Sequence, residues 1–224
     1  MNMNMNMNTT IILTSTVNIN PIKWWLFQID KNDRLQTYLK SVLQWLMKTD
    51  FKIVLVENSG YKYDELNAEK ELYKDRFEVI TFVESELEES KILTENPHKG
   101  ASEIFAINYG FQQSKIIKSS DFIIKITARY FIPDLENYLK KYDLNEYDCL
   151  TQNTRNRCEM VGSHSKNLNH IFNTHTFDKN GHYVCHIESL YEERISEYTR
   201  ILICDPFQIE PTQMGGNEHI NTVI

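Results

Sequence analysis

The sequence predicts a single α/β domain with a mostly parallel central sheet flanked by helices. Short β-branched apolar runs alternate with helix-forming segments between residues 10 and 141. That is the order expected when crossover helices join parallel strands. Three of the runs end in polar residues at what becomes one edge of the sheet. The chain has 224 residues and is 41% hydrophobic, enough for one large core rather than two small ones.

The first run, Thr10 to Thr16 (TIILTST), reads as a buried strand that ends in hydroxyl side chains. Asn20 and Pro21 mark a loop. From Asp33 to Lys48, Leu35, Leu39, Val42, Leu43 and Leu46 recur at helical spacing, with Asp33 as the expected N-cap. Lys52 to Val56 is the second strand and leads into Glu57-Asn58-Ser59-Gly60. Asp64 to Arg76 is polar and helix-forming, and Phe77 to Val83 is a third strand. The charged stretch Glu84 to His98 reads as an exposed loop with one helical turn at most. A helix opened by Lys99-Gly100 runs from about Ala101 to Ser119, and Phe122 to Thr127 (FIIKIT) is the fourth strand.

Beyond Pro133–Lys141, where another short helix begins, the pattern loosens. Cys149–Thr151 reads as a strand, Leu168–Phe172 as a short helix and Ile187–Arg200 as a clear one. The tail from Ile201, with Pro206, Pro211 and Gly215-Gly216, reads as irregular. Residues 1–9, with their Met-Asn repeat, are set apart as a low-complexity tail, and residues 10–224 form the domain. No repeat or linker divides it.

Composition excludes several classes. Acidic residues outnumber basic ones by 31 to 24, for a formal net charge of -7. That argues against nucleic acid as a partner, because binding phosphate backbones requires clustered cations. No apolar run is long enough for a transmembrane helix, and the start lacks the basic and apolar regions of a signal peptide. The four cysteines form no CxxC pair, so a reducing, cytoplasmic setting is the default. Cys158, His164, His170, His175, His182 and Cys185 are dense enough to suggest zinc, but their spacing matches no structural zinc site. Tyr61, Tyr63, Tyr130, Trp24 and Trp25 could stack on the rings of a ligand, although scattered aromatics more often pack a core.

Ligands of open parallel sheets bind beyond the carboxyl ends of the strands. The residues placed there are Thr14, Ser15 and Thr16, then Glu57, Asn58 and Ser59, then Lys125, Thr127 and Arg129. In an extended strand residues two apart share a face, so Lys125, Thr127 and Arg129 are expected to project together. Lys125 has a competing fate, an ion pair with Glu103. Lys99 stands at a helix start, where free amides favour an anion, and Gly100 allows a close backbone approach. Glu103 reads as an ordinary first-turn acid.

Taken in order, ILTSTVN, KIVLVENSG and KGASEIFAINYGFQQSKIIKSSDFIIKITARYF resemble a GT-A glycosyltransferase, a Rossmann-like nucleotide-diphospho-sugar transferase fold. The likeness is narrowest to small bacterial and giant-virus transferase-like proteins. EMVGSHSKNLNHIF and HIESLYEERI resemble their acceptor-side segments, so the resemblance covers about Thr10 to Arg200. It implies a nucleotide half at about 10–132 and an acceptor half at about 133–224. It also implies a nucleotide sugar as donor and a glycan or other hydroxyl compound as acceptor. Thr14 to Val17 would line base and ribose, and Glu57 would accept a hydrogen bond from one of them. In the related enzymes a Glu-Asp pair opens a later helix, with an Arg six residues past the Glu. Here Glu188 and Arg194 keep that spacing while Ser189 replaces the Asp. Glu188 is therefore the first choice for the base that takes the acceptor proton, and His186 the second.

One departure stands out. The Asp-x-Asp that usually holds a divalent metal in this fold is replaced by Lys125-Ile126-Thr127. No cofactor is therefore required by the sequence, although a metal stays open, and Lys125 with Arg129 is expected to supply the missing positive charge. The contrasting reading is a non-catalytic module of the same fold that binds a glycan or a partner. A nucleotidyltransferase-like enzyme is disfavoured because no glycine-rich phosphate loop is present. The location implied is cytoplasmic, in the host cytoplasm if the protein is viral. Oligomeric state, donor sugar and linkage are not legible.

Overall fold

The apolar runs become strands in the computed structural model, which describes residues 8–24, 26–153, 157–176 and 186–224. β1 (Thr9–Ser15) encloses Ile11, Ile12 and Leu13 completely. It begins inside the segment set apart as a tail, and Asn8 is already tied to Asp121. α1 (Lys31–Lys48) follows. Its cap is Asp30, not Asp33: the Asp30 carboxylate accepts from the Asn32 and Asp33 amides, and Asp33 occupies the first turn.

β2 (Lys52–Glu57), α2 (Asn67–Leu72) and β3 (Phe77–Thr81) come next. The helix expected over 64–76 is shortened at both ends. Asp64–Leu66 forms a separate 3-10 turn, and the Ile53 amide donates to the Arg76 carbonyl at 2.7 Å, drawing that residue into strand pairing. The stretch read as an exposed loop holds a 3-10 turn at Glu88–Ser90 and then α3 (Lys91–Thr94). Part of it is buried. Lys23 reaches across to the Leu93 and Asn96 carbonyls and to Glu84, so this loop is tied down.

The next helix is two: α4 (Lys99–Gln113) and α5 (Lys115–Lys118). Ser114 divides them, its hydroxyl accepting from the Ile117 amide at 3.0 Å as a new N-cap. β4 (Phe122–Thr127), α6 (Leu135–Leu139) and β5 (Cys149–Gln152) follow, then β6 (Met160–His164), α7 (Leu168–Ile171) and α8 (Ile187–Ser196). The chain closes with β7 (Ile201–Cys204), β8 (Gln208–Gln213) and β9 (Ile220–Val223). Two expectations are corrected here. The tail from Ile201 is not irregular but carries three strands. α8 stops short of Arg200 because the Arg200 carbonyl accepts from the Asp148 amide and its guanidinium forks onto the Asp148 carboxylate at 2.7 and 3.0 Å.

The sheet order is β3-β2-β1-β4-β6-β5-β7, with β8 and β9 pairing separately as a hairpin. β1 lies parallel to both β2 and β4, β2 to β3, and β5 to β7. β6 runs antiparallel to both its neighbours. The mostly parallel α/β fold is thus as the sequence predicts, with one reversed strand.

Alternate side chains of the strands feed two cores. On one face Ile11, Leu13, Leu55 and Ile124 pack with Val42, Trp45 and Leu46 of α1. On the other, Ile12, Val54, Val56 and Ile123 pack with Ile104 and Ile107 of α4 and Leu190 and Ile195 of α8. Each enclosed aliphatic side chain contributes about 1.5–3 kcal/mol. Burial on both faces explains why β1, β2 and β4 are nearly unbroken apolar runs.

Candidate functional site

The chain leaves β1 toward β2 and β3 on one side and returns to β4 on the other, so the sheet has its switch point between β1 and β4. Chains diverging in this way leave a crevice beyond the strand ends. A cleft of about 790 Å³ lies there. Thr14, Ser15, Thr16, Asn58, Ser59, Lys99, Thr127, Arg129, His186 and Glu188 all line it, so five separate stretches of the chain converge on one space.

Glu57 and Lys125 do not line the cleft. Glu57 is fully enclosed and turns its carboxylate onto the chain itself. It accepts from the amides of Val17 at 2.8 Å, Ser59 at 2.8 Å and Tyr61 at 3.0 Å, and from the Ser59 hydroxyl. Burial pushes its carboxyl up, and these donors only partly hold it down. Its geometry is that of a clamp joining the loops after β1 and β2, which corrects the expectation of a base- or ribose-reading acid. The rim it supports is stitched further by the Thr16 hydroxyl donating to Asn58 at 2.6 Å and the Asn18 amide to the Ser59 hydroxyl at 2.8 Å.

Lys125 is also fully enclosed. Its ammonium lies 2.7 Å from Glu103 Oε1 and donates to the Cys158 carbonyl at 2.7 Å and the Thr127 hydroxyl at 3.3 Å. Burial alone would push this ammonium down, but the Glu103 charge more than offsets it. Burial likewise pushes Glu103 up, and Lys125 outweighs that, leaving the carboxyl below its usual range. Lys125 therefore does not project into the cleft beside Thr127 and Arg129. Thr127 and Arg129 reach it; Lys125 supports Glu103, which does line it.

Four cations line the space, of which Lys23 is paired with Glu84 and Arg34 donates to the Thr16 and Gln28 carbonyls. The Arg129 guanidinium is held by Gln28 Oε1 at 3.0 Å and the Gln213 carbonyl at 3.3 Å. Lys99, in the first turn of α4, has its ammonium pushed down first by burial and then by Arg129. The starts of α4 and α8 meet at this point. A Cβ on Gly100 would come within 2.9 Å of Ile187 Cβ, so Gly100 serves close packing of two helix starts. Neither start has a side-chain cap hydrogen bond. Lys99, Gly100, Ile187 and Glu188 of the two first turns line the cleft, and helix starts favour an anion.

Glu188, in the first turn of α8, accepts from the Cys158 thiol at 3.6 Å, and His186 precedes the helix as an exposed residue. Arg194 faces away, donating to the Ile171 and Asn173 carbonyls at 2.9 and 2.8 Å, and so braces the preceding loop. The histidines are dispersed: His170 bonds Tyr198 and Glu197, while His164 caps a turn through Lys166. His182 and Cys185 lie outside the described residues. Among the described residues no three His, Cys, Asp or Glu side chains group so as to hold a metal ion. Tyr63 and Tyr130 are core residues, whereas Trp24 is half exposed; Trp25 lies outside the described residues.

Sequence reasoning passed over Glu103 and the hairpin tip Met214–Asn217, which also line the cleft. The tip had a signal: Gly215-Gly216 between two short alternating runs is hairpin chemistry.

The mostly parallel sheet with its crevice at the switch point is a GT-A-like α/β architecture. No family model matches the chain, and no curated protein matches it. Among solved structures it is similar to GlyE, a glycosyltransferase of Streptococcus pneumoniae TIGR4, with a TM-score of 0.51 and 11% identity over 89% of this chain and 45% of that one. A Desulfovibrio desulfuricans G20 protein assigned as a nucleotide-diphospho-sugar transferase gives 0.49 and 14% over 89% and 80%. S. aureus TarS 1-349 gives 0.47 and 15% over 88% and 58%. The fold assignment rests on the first of these, and the chain spans less than half of that glycosyltransferase. Among the described residues no helix is long and apolar enough to cross a membrane.

Proposed function

We propose that this protein transfers a sugar from a nucleotide-sugar donor to a hydroxyl acceptor. One observation carries the reading: Lys99, Arg129 and the first turns of α4 and α8 line the same cleft as the ends of β1, β2 and β4. Cations and helix starts beside a crevice of nucleotide size suit a diphosphate. Thr14 to Thr16 with Asn58 and Ser59 form the rim assigned to the nucleoside, so the nucleotide half is about residues 10–132. The acceptor, a glycan or similar hydroxyl compound, is assigned to the half at about 133–224. Its oxygen attacks the anomeric carbon and the bond from that carbon to the phosphate oxygen breaks. The nucleoside diphosphate leaves with the electron pair, and Glu188 takes the hydroxyl proton.

Charge on the departing diphosphate is met by Arg129, Lys99 and the helix amides rather than by a metal on Asp-x-Asp. An inverting displacement and a cytoplasmic setting complete the reading. The replacement of Asp-x-Asp by a buried lysine also favours a second reading, a module that binds nucleotide sugars without turning them over. A thermal-shift screen of nucleotide sugars, followed by turnover assays of the hits in chelator, separates the two. Transfer or hydrolysis that survives the chelator is expected. Binding without turnover under any acceptor or metal selects the module, and no binding at all overturns both.

A further inference from the structure

Like the carboxylates of Glu84, Glu159 and Glu188, that of Glu103 lines the cleft with a charge that conflicts with a diphosphate, and of the four it is the one paired with a fully enclosed lysine. The Glu103 side chain is 22% exposed and lines the cleft one turn into α4, below Lys99. Oε1 is fully committed, accepting from Lys125 at 2.7 Å and from the Thr14 hydroxyl at 2.9 Å. The fully enclosed Lys125 has no route to the ligand. The chain thus spends a buried ammonium on fixing one carboxylate at the floor of a ligand cleft. An ionised carboxylate repels phosphate and can only accept hydrogen bonds, as from the hydroxyl or amide donors of a ligand.

Resting on the transferase reading, we propose that Glu103 is a specificity-determining residue that reads hydroxyl groups of the donor sugar, so that the donor carries an uncharged, hydroxyl-rich sugar rather than an acidic one. Lys125 and Thr14 are positioning residues that hold Oε1 and leave Oε2 for the ligand. The same pairing keeps the carboxyl below its usual range, which makes Glu103 a strong hydrogen-bond acceptor and a poor proton acceptor. That separates its task from the one assigned to Glu188.

The test is calorimetric titration of the full chain and of Glu103→Gln with nucleotide hexoses, nucleotide uronic acids and the matching nucleoside diphosphates. Wild type should bind a neutral nucleotide sugar more tightly than its diphosphate and should discriminate against the uronate. Glu103→Gln should weaken the nucleotide hexose by about 10- to 100-fold, the worth of one hydrogen bond to a charged group, while leaving the diphosphate unchanged. If Glu103→Gln does not fold, Glu103→Asp keeps the charge beside Lys125, withdraws the reach, and should lose the same sugar increment. Equal losses for hexose and bare diphosphate would reduce Glu103 to scaffold and overturn the proposal. So would an unchanged hexose affinity, or a wild type that prefers the uronate. A wild type that binds neither nucleotide nor nucleotide sugar overturns the transferase reading itself, and this inference with it.

Discussion

Replacing Lys125 by methionine removes the ammonium and leaves Glu103 facing an apolar neighbour. Removing one partner of a buried ion pair costs about 3–5 kcal/mol, because the remaining charge is uncompensated. Glu103 is 22% exposed on its cleft side, so water reaches it and the cost falls to the lower end, about 3 kcal/mol. For a chain of this size that lowers the melting temperature by roughly 6–12 °C. Equilibrium urea unfolding at pH 7 measures it directly. The pH dependence has a definite sign. Glu103 is depressed in the fold, so its contribution is present above the unfolded carboxylate value and is lost as pH falls through the folded one. Lys125 is raised, so its contribution is full below the unfolded lysine value and is lost only as pH climbs through the folded one. The gap between wild type and Lys125→Met should therefore be widest near neutrality and narrow on acidification. The double variant Lys125→Met/Glu103→Leu should be less destabilised than Lys125→Met, since no charge is left stranded. A stability cost below about 1 kcal/mol together with a large loss of nucleotide affinity would refute this reasoning and put Lys125 in the cleft.

Glu188→Gln keeps the shape of the side chain and removes the basic oxygen; turnover should fall about 100-fold or more with donor affinity near wild type. Full turnover in that variant and loss in His186→Gln would move the base to His186. At Gly215 a methyl group would overlap the Arg129 guanidinium, so Gly215→Ala should displace that cation and weaken nucleoside diphosphate binding about tenfold without loss of fold; unchanged affinity would detach Arg129 from the ligand. Arg200 and Lys166 hold the Asp148 carboxyl well below its usual range, Arg200 foremost. The stability difference between wild type and Asp148→Asn should thus be present at neutral pH and shrink as pH falls through the lowered folded value, a trend thermal melts across pH can read.

How far the molecule is legible depends on how each element is buried. β1, β2 and β4 are covered on both faces, which leaves an apolar run that no loop would carry. β6 is short and holds Gly162, where a Cβ would press on the Phe122 ring at 2.9 Å. Its place in the sheet depends on neighbours distant in sequence, so no local period announces it. β7 is a four-residue strand at the sheet edge. In the cleft, the strand-end hydroxyls could be placed from topology alone. The direction of Lys125 could not be chosen from the strand period, although the fact that turned it inward is in FIIKIT: a lysine between isoleucines of a doubly covered strand must find a carboxylate. Glu57 was assigned to the ligand because strand ends point there, but three backbone amides within reach claimed it first.

The walls of the cleft run in sequence from Thr14 to Asn217. During synthesis its first and last walls therefore emerge on the order of 10–40 s apart at ordinary rates of elongation. Until β6 arrives, the newly made β4 has an open edge and apolar faces, the condition under which strands pair with the wrong neighbour. The hairpin β8–β9 brings the final wall, so a growing chain has no complete ligand site and gains no help from ligand in holding its unfinished sheet. The reversed strand matters most at that moment: by pairing with β4, it converts an edge into an interior before the rest of the molecule exists.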